Sequence, residues 1–298
     1  MSESLTVLVL ITALAAVVNG ALGHGFSSIT VPVALLCYTN RILNPALVLV
    51  EVCINAYVLV MNRAFVGAVW RRLIPIVLGL VPGIVVGTLL LSRLNAEWLK
   101  LFVYATLVPL ILLQAAGLRR PVRLTPAVGA PFGMGLGILY SLTTISGPPL
   151  ALLFNNQGLV KQEFRAALGM IRVAESTLTA IAYLQLGLFT APSLRLVGWI
   201  APTVAVGVPL GVVLIRSVDA EVFRRICMSF DAWIVGFGLS KVLVSVGLAA
   251  APGAYLVLAV VAIIDTALLT VFFSRRRGAH AVSGIGASRR MPAGEPSR

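Results

Sequence analysis

The stretch "GHGFSSITVP", residues 23–32, decides the fold, because it interrupts a long apolar segment with glycines, hydroxyls, a histidine and a proline. A backbone that leaves its helix inside a bilayer strands N–H and C=O groups, which is tolerated where the break lines a polar cavity or is buried in protein. A second break of the same character, "YSLTTISGPP", covers residues 140–149. A short apolar arm follows each break, at 31–38 and at 149–156. The sequence therefore predicts two broken helical hairpins.

The composition around these breaks excludes a soluble globular domain. The 298 residues are 59% hydrophobic and 11% charged, whereas soluble domains carry roughly 25% charged residues. Apolar runs of the length that spans a bilayer recur from residue 5 to residue 273, which is typical of a polytopic membrane protein. The net charge of +13 is interpreted as cytoplasmic loop charge, so we expect no nucleic-acid partner.

Enzyme, metal and cofactor chemistry leave no signature in the sequence. The cysteines Cys37, Cys53 and Cys227 lie in apolar segments without CxxC spacing, so we expect no metal site and no disulfide. Motifs such as GxSxG, HExxH and the phosphate-binding loop are not found in a suitable context. We therefore expect a protein that is not an enzyme and that needs no cofactor. The "GMGLG" run at 133–137 indicates close helix packing.

The chain repeats itself. "PVALLCY" at 32–38 resembles "PLALLFN" at 149–155, and "GIVVGTLLLSRLNAEWLK" at 83–100 resembles "GVPLGVVLIRSVDAEVFR" at 207–224. Between these pairs, the match of Ala46-Leu47 with Ala167-Leu168 sets Glu51 opposite Arg172 and Asn55 opposite Ser176. Ordered matches at nearly constant spacing indicate a duplicated unit.

The distribution of lysine and arginine favours inverted halves. If every apolar run is a full span, the loop charges divide almost evenly between the two sides. If 5–38 and 125–155 are re-entrant hairpins, each half keeps three full spans and one side receives most of the 23 basic residues. The positive-inside rule selects the second arrangement. It places the N-terminus outside and the C-terminus in the cytoplasm of a multi-pass protein of the cell (inner) membrane.

The predicted fold is an all-α polytopic membrane protein with two inverted repeats. Each repeat is a re-entrant or broken helical hairpin plus three transmembrane helices, and one extra transmembrane helix follows. The predicted units are a first repeat at 1–120, a second at 121–250, a C-terminal transmembrane helix at 251–274 and a disordered basic cytoplasmic tail at 275–298.

Two helix starts at the breaks suit an anion. A helix N-terminus offers free N–H groups and a partial positive charge, and a first-turn proline, here Pro32 or Pro149, is welcome there. Nearby hydroxyls, amides, a glycine and an arginine complete a candidate substrate-binding set: His24, Ser27, Ser28, Thr30, Asn55, Thr143, Thr144, Ser146, Gly147, Asn155, Arg172 and Ser176.

Charges inside the spans allow two interpretations. Ionisable groups at this depth usually face a cavity or a partner. Arg172 either pairs with Glu51 or Glu175 as a structural bridge, or neutralises an anionic substrate while a glutamate carries a coupling proton. Glu51 and Glu175 are the candidate coupling or ion-pair residues. The roles of Asp231, Lys241 and Asp265 stay open.

The stretch "SGPPLALLFNNQGLVKQEFRAAL" at 146–168, the break before "VPVALL" and the repeated "G…G…(N/D)AE" blocks resemble the TauE/SafE (TSUP) membrane transporters. The resemblance implies transport of a small sulfur-containing anion, such as sulfite or a short organosulfonate. The glycine-rich run before the first arm differs here from the family's GxGGG. Phe26, Tyr140 and Phe154 could bound an organic substituent.

These observations together predict a secondary transporter that works by alternating access and is coupled to a proton or another ion. The partners expected are the small anion, the lipid bilayer and, as an open case, a second copy in a homodimer. Two other functions stay open: a passive anion channel and a non-transporting membrane assembly factor.

Overall fold

Helices make up every regular element that the computed structural model describes, which covers residues 3–23, 25–116, 125–154, 161–214, 217 and 219–288. A single 3₁₀ turn, Arg63–Phe65, precedes α4. The helices are α1 (Glu3–Leu22), α2 (Phe26–Ala34), α3 (Asn40–Met61), α4 (Val66–Arg93), α5 (Ala96–Ala115), α6 (Pro126–Thr143), α7 (Gly147–Phe154), α8 (Lys161–Gln185), α9 (Ala191–Leu214), α10 (Ala220–Ser245), α11 (Ala251–Ala254) and α12 (Leu256–Ser288).

Within the described part of the chain, eight helical segments are long and apolar enough to cross a bilayer: Glu3–Leu22, Asn40–Met61, Arg63–Arg93, Ala96–Ala115, Gln162–Gln185, Ala191–Leu214, Glu221–Ser245 and Ala251–Arg276. Large apolar side chains on these segments point outward, and Leu10, Leu78 and Val206 are each about two-thirds exposed. Such surfaces are stable in hydrocarbon rather than in water. The predicted all-α polytopic membrane fold is confirmed.

Helices from the two halves pack reciprocally. α1 packs on α9 while α6 packs on α4, and α2 packs on α10 while α7 contacts α5. α3 and α8 cross each other between these pairs. Exchanging the halves maps each pair onto its counterpart, which is what a duplicated unit would give. The inversion of the halves and the re-entrant course of the hairpins stay predictions, because α1 is itself long enough to span.

Glycines bring the paired helices into backbone contact. On α6, a Cβ at Gly133 would collide with the carbonyl oxygen of Ile76, and one at Gly137 would lie 2.6 Å from that of Leu80. On α9, a Cβ at Gly211 would collide with the carbonyl oxygen of Val17. Small residues that allow such approach are the usual device for packing helices in membranes. The close packing predicted for 133–137 is confirmed.

The repeated (N/D)AE block begins a helix in each half. The Asn95 side chain accepts a hydrogen bond from the Glu97 N–H at 2.9 Å, at the start of α5. The Asp219 side chain accepts bonds from the N–H groups of Glu221 and Val222, both at 3.0 Å, at the start of α10. Asn and Asp stabilise helix starts because they satisfy N–H groups that lack an intrahelical partner. The duplicated sequence motif is therefore a duplicated helix cap.

A buried ion pair attaches α12 to α10. Arg225 Nη2 lies 2.9 Å from Asp265 Oδ1, and the side chains are 3% and 0% exposed. The sequence left the role of Asp265 open, and the structure gives it Arg225 as its partner. Arg225 belongs to the first turns of α10, which begins at Ala220. α12 also continues to Ser288, past residue 274, where we expected the last transmembrane helix to end.

Candidate functional site

Both predicted breaks are present, and both turn through left-handed backbone. α1 ends at Leu22, and Gly23 and Gly25 have φ angles of 80° and 109° before α2 begins. α6 ends at Thr143, and Thr144 has a φ of 56° before α7 begins. A left-handed conformation is easy for glycine but unusual for a β-branched residue. Both breaks therefore have left-handed backbone between the long helix and the short helix that follows it.

The first break is narrower than we predicted. α2 begins at Phe26, so Ser27, Ser28 and Thr30 lie inside the short helix rather than ahead of it. The expectation that Pro32 lies in a first turn was wrong, because Pro32 is in the interior of α2. The described residues between α1 and α2 are Gly23 and Gly25, and both have left-handed backbone.

The two helix starts also differ in the donors that they offer. Phe26, Ser27 and Ser28 precede the first intrahelical bond of α2, which Ile29 N donates to Gly25 O at 3.2 Å. In α7, Gly147 alone precedes Pro148 and Pro149, which have no N–H, before Leu150 N bonds to Ser146 O at 3.1 Å. Pro149 does lie in a first turn, as predicted. The amide donors are therefore concentrated at the start of α2.

A serine at each break holds a buried glutamate. Ser27 Oγ donates to Glu51 Oε1 at 2.7 Å, and Ser146 Oγ donates to Glu175 Oε2 at 2.6 Å. Each of these four residues is at most 1% exposed. In both halves the glutamate belongs to the helix that crosses its counterpart, α3 or α8. Each hairpin is thus tied to the centre of the molecule by one serine–carboxylate bond.

Arg172 joins the two halves through Glu51. Arg172 Nη2 lies 3.2 Å from Glu51 Oε1, and both side chains are buried. Tyr140 Oη donates to the other oxygen, Glu51 Oε2, at 2.6 Å. The carboxylate of Glu51 therefore accepts bonds from three side chains, which belong to α2, α6 and α8. Charge-assisted bonds of this kind are about twice as strong as neutral ones.

Two polar atoms of this cluster lack a partner among the described residues. They are Arg172 Nε and Glu175 Oε1, and both are fully shielded from solvent. A buried donor or acceptor without a partner costs about 1–3 kcal/mol. At 1.5 Å per residue, Glu51 and Arg172 lie about 16 Å along their helices, close to the middle of a core about 30 Å thick. The cluster therefore has unused donor and acceptor capacity at mid-membrane depth.

The breaks themselves meet beside this cluster. A Cβ placed on Gly147 would lie 3.8 Å from Ser28 Oγ, so the starts of α2 and α7 adjoin. A Cβ placed on Gly23 would lie 3.9 Å from Arg165 Nε. Thr30 is fully buried, and its hydroxyl has no partner among the residues described.

Other predicted ligands have structural partners instead. Thr143 Oγ1 donates to Leu139 O at 2.7 Å and accepts from Ile145 N at 2.9 Å, and Thr144 Oγ1 donates to Thr143 O at 2.7 Å. These hydroxyls hydrogen-bond to backbone C=O and N–H groups where α6 ends. Those bonds hold Thr144 in its left-handed conformation. His24 and Asn155 lie outside the described residues.

The polar pair Asn55 and Ser176 converges on one backbone atom. Asn55 Nδ2 donates to Arg172 O at 3.4 Å, and Ser176 Oγ donates to the same oxygen at 2.7 Å. Their positions, predicted to be equivalent in the repeat, both fix the helix turn that carries Arg172. Asn55 and Ser176 therefore position Arg172, and the N–H and O–H groups that make these bonds are not free to bind a ligand.

Sequence reasoning missed the role of Tyr140, which we had placed as an apolar wall. Its hydroxyl bonds Glu51 across 89 positions of sequence. A tyrosine beside a helix break was the available signal, but no local pattern states which side chain its hydroxyl will meet.

A family comparison decides what kind of protein carries this cluster. The sequence profile of the family described as "Sulfite exporter TauE/SafE" matches residues 8–237, which include both breaks and all three charged residues. This chain belongs to the TauE/SafE family. No match was found among curated proteins or among solved structures. TauE/SafE proteins transport sulfite and other sulfur compounds across membranes, so the resemblance seen in the sequence is confirmed.

Proposed function

We propose that this TauE/SafE protein carries a small sulfur oxyanion, sulfite or a short organosulfonate, together with a proton, by alternating access. The observation that supports it most directly is the buried Arg172–Glu51 pair at mid-membrane depth, beside the meeting point of two helix breaks. Arg172 is the anion-binding residue, and Glu51 and Glu175 carry the coupling proton.

Electrostatics links the anion to the proton. Arg172 has Glu51 as its carboxylate partner, so an anion that binds the guanidinium must displace that carboxylate. Two unit charges 4 Å apart interact by about 4 kcal/mol at an effective dielectric constant of 20. An added anion would therefore face repulsion from two carboxylates and attraction from one arginine. A proton on Glu51 removes this imbalance, so the two ions bind together.

Oxyanion shape suits the donors of the cluster. A sulfite or sulfonate group has three oxygens, and a guanidinium binds two of them side by side. The remaining oxygen would meet Ser27, Ser28 and the amide groups at the start of α2. Neutral Glu51 would still bond Tyr140. The apolar residues Phe26 and Phe154, both buried, would bound an organic substituent.

The serine–glutamate bonds supply the link between binding and movement. Loss of charge on Glu51 weakens its bond to Ser27, which ties α2 to α3. The equivalent bond from Ser146 to Glu175 ties the second break to α8. With one such bond in each half, the Ser27–Glu51 bond could break while the Ser146–Glu175 bond remains, or the reverse. One hairpin could then move while the other stays in place, as alternating access about a fixed site requires.

The proposed arrangement in the membrane follows from the basic residues. The two halves, at 1–120 and 121–250, are inverted repeats, the N-terminus is outside and the C-terminus is in the cytoplasm of the cell membrane. The last helix, with the basic tail after it, lies outside the repeat. A homodimer is compatible with this arrangement.

Flux measurements on the purified protein in proteoliposomes test the proposal. We expect uptake of radiolabelled sulfite to increase when an inward proton gradient is imposed. Glu51→Gln and Glu175→Gln should abolish this response, while Glu97→Gln, which removes a partly exposed carboxylate bonded to Lys100 and Ser245, should retain it. A sulfite flux that is unchanged by the proton gradient, and also unchanged by Glu51→Gln and by Glu175→Gln, would indicate a channel. No flux of sulfite or of any short sulfonate would indicate an assembly factor.

A further inference from the structure

Arg165 is a partly exposed arginine that the proposed mechanism does not use. It belongs to the second turn of α8. Among the described atoms, only its Nε lies within 4 Å of a Cβ placed on Gly23, at 3.9 Å. Arg165 precedes Arg172 by seven residues, so the two arginines lie on nearly the same side of α8, about 10 Å apart along its axis. The first break therefore lies beside a side of α8 that carries two arginines.

Arg165 differs from the paired arginines of the molecule. Arg172, Arg225 and Arg276 each have a carboxylate oxygen nearby, at 3.2, 2.9 and 2.6 Å. Arg165 forms no salt bridge and donates no hydrogen bond to any residue that the structure describes. An anion that binds Arg172 must displace Glu51, whereas an anion that binds Arg165 has no described carboxylate to displace.

The equivalent residue in the other half has a structural role. At the repeat spacing that aligns the two central helices, α3 and α8, Arg165 is opposite Asn44. Asn44 Nδ2 donates to Leu142 O at 2.7 Å and so satisfies a carbonyl group at the end of α6, where the second break begins. Arg165 lies just after the end of α1, where the first break begins, but it makes no such bond to a described residue. One position therefore caps a helix at the second break and leaves a free cation at the first.

The two breaks also differ in exposure. At the first break Gly23, Gly25 and Ser28 are partly exposed, whereas residues 140–148 at the second break are all buried. A charged side chain without an acidic partner is unfavourable in hydrocarbon, so the exposed side of the first break, where Arg165 lies, faces water. An anion in solution can therefore meet Arg165, while the second break is closed to it in this conformation.

We propose that Arg165 is a second anion-binding residue, which holds a sulfite or sulfonate group at the first break, beside the free amide groups at the start of α2. A guanidinium group binds two oxygens of such an anion side by side. An anion held there leaves the Arg172–Glu51 pair intact, so this binding step needs no proton. The inference rests on the proposed function for the identity of the anion. In the membrane arrangement proposed above, Arg165 faces the cytoplasm.

Labelling of a cysteine at the first break tests the charge that Arg165 places there. In Ser28→Cys, the thiolate attacks a methanethiosulfonate reagent, a mixed disulfide forms and methanesulfinate leaves. The rate for a sulfonatoethyl reagent, itself an organosulfonate anion, is compared with that for a trimethylammonioethyl cation at one pH. Mass spectrometry of the peptide that contains residue 28 separates this signal from the native cysteines. His24 and the residues Arg224 and Asp231, which line a small cavity with Ser28, are unchanged in every variant, so the comparison isolates Arg165.

Arg165→Gln in the Ser28→Cys protein should lower the ratio of anionic to cationic labelling rates about fivefold. Arg165→Lys keeps the positive charge and should keep most of the ratio. Arg275→Gln is the matched control, because it removes an exposed arginine on α12, next to the Arg276 that bonds Asp219, and it should leave the ratio unchanged. In the protein with its native serine, Arg165→Gln should also weaken equilibrium binding of radiolabelled sulfite about tenfold.

A labelling ratio that Arg165→Gln leaves unchanged would overturn this role, and so would an unchanged affinity for sulfite. Arg165→Met provides a second neutral variant if the glutamine variant does not fold, as judged by size-exclusion chromatography. Labelling needs neither sulfite nor transport, so its result does not depend on the proposed function. The response of sulfite flux to a proton gradient in wild-type proteoliposomes tests that function separately.

Discussion

The two buried glutamates of the central cluster are equivalent in their serine bonds but differ in their charge partners. Glu51 has Arg172, Tyr140 and Ser27 around it, while Glu175 has the hydroxyl of Ser146 and one oxygen without a partner among the described residues. The pairing of Arg172 with Glu51 decides one question that the sequence left open. In the proposed function, Glu51 is therefore the group that an anion would displace from Arg172.

Arg172→Ala should abolish sulfite binding and leave the protein folded. Removal of one partner from a buried ion pair typically costs about 3–5 kcal/mol, but Glu51 keeps the hydroxyl donors Ser27 and Tyr140. Equilibrium binding of radiolabelled sulfite, with melting of the detergent-solubilised protein measured in parallel, checks both statements.

Arg41→Ala is the matched control, since Arg41 donates to the carbonyl oxygens of Leu91, Ser92 and Leu94 at a helix end. It should bind sulfite normally. Sulfite affinity unchanged in Arg172→Ala would make the arginine a purely structural bridge.

Among the helices, the places where they begin show which local sequence signals set a helix start and which do not. Pro32 did not mark the start of α2, because two left-handed glycines already turn the chain and the Pro32 carbonyl accepts a bond from Tyr104 Oη at 2.7 Å. Residues of α2 before the proline therefore remain helical. The (N/D)AE blocks, which the sequence presents as a repeat, each begin a helix, because a cap is a local interaction.

Gly133 and Gly135 on α6 allow a test of helix contact. Gly133→Ala should lower the melting temperature, because its Cβ would collide with the backbone of Ile76 on α4. Gly135→Ala has no atom within 4 Å of its new Cβ and should be neutral or stabilising, since alanine is favoured over glycine in a helix by about 0.5–1 kcal/mol. Melting curves in one detergent compare the two. Equal effects would mean that α4 and α6 do not touch at Gly133.

Asp219 predicts a pH dependence outside the membrane. The hydrogen bond from Arg276, followed by the backbone N–H of Val222, lowers the pKa of the Asp219 carboxyl. A lowered pKa stabilises the folded state above the ordinary value, near 4 for Asp, and that contribution is lost as the pH falls further. Asp219→Asn keeps the helix cap but removes the charge. The melting-temperature difference between wild type and Asp219→Asn should therefore shrink below about pH 4. A constant difference would show that Arg276 contributes nothing there.

For the whole molecule, membrane orientation is the main prediction. Green fluorescent protein fused after Arg298 should fluoresce, and alkaline phosphatase at the same place should be inactive, if the basic residues keep the C-terminus in the cytoplasm. Phosphatase fused after Thr190, between α8 and α9, should be active because that connection would lie outside. Fluorescence at both positions would contradict the inverted arrangement.

The amino-acid sequence alone is enough to establish the class of fold, the position of both breaks and the family, because each of these depends on composition or on residues close together in the chain. It also placed Glu51, Arg172 and Glu175 inside the spans. Only the tertiary structure decided which of these groups touch: Ser27 with Glu51, Ser146 with Glu175, Tyr140 with Glu51, and Arg225 with Asp265. Such contacts depend on how helices far apart in sequence cross, and helical periodicity fixes the side of a helix on which a residue lies but not the helix that it will face.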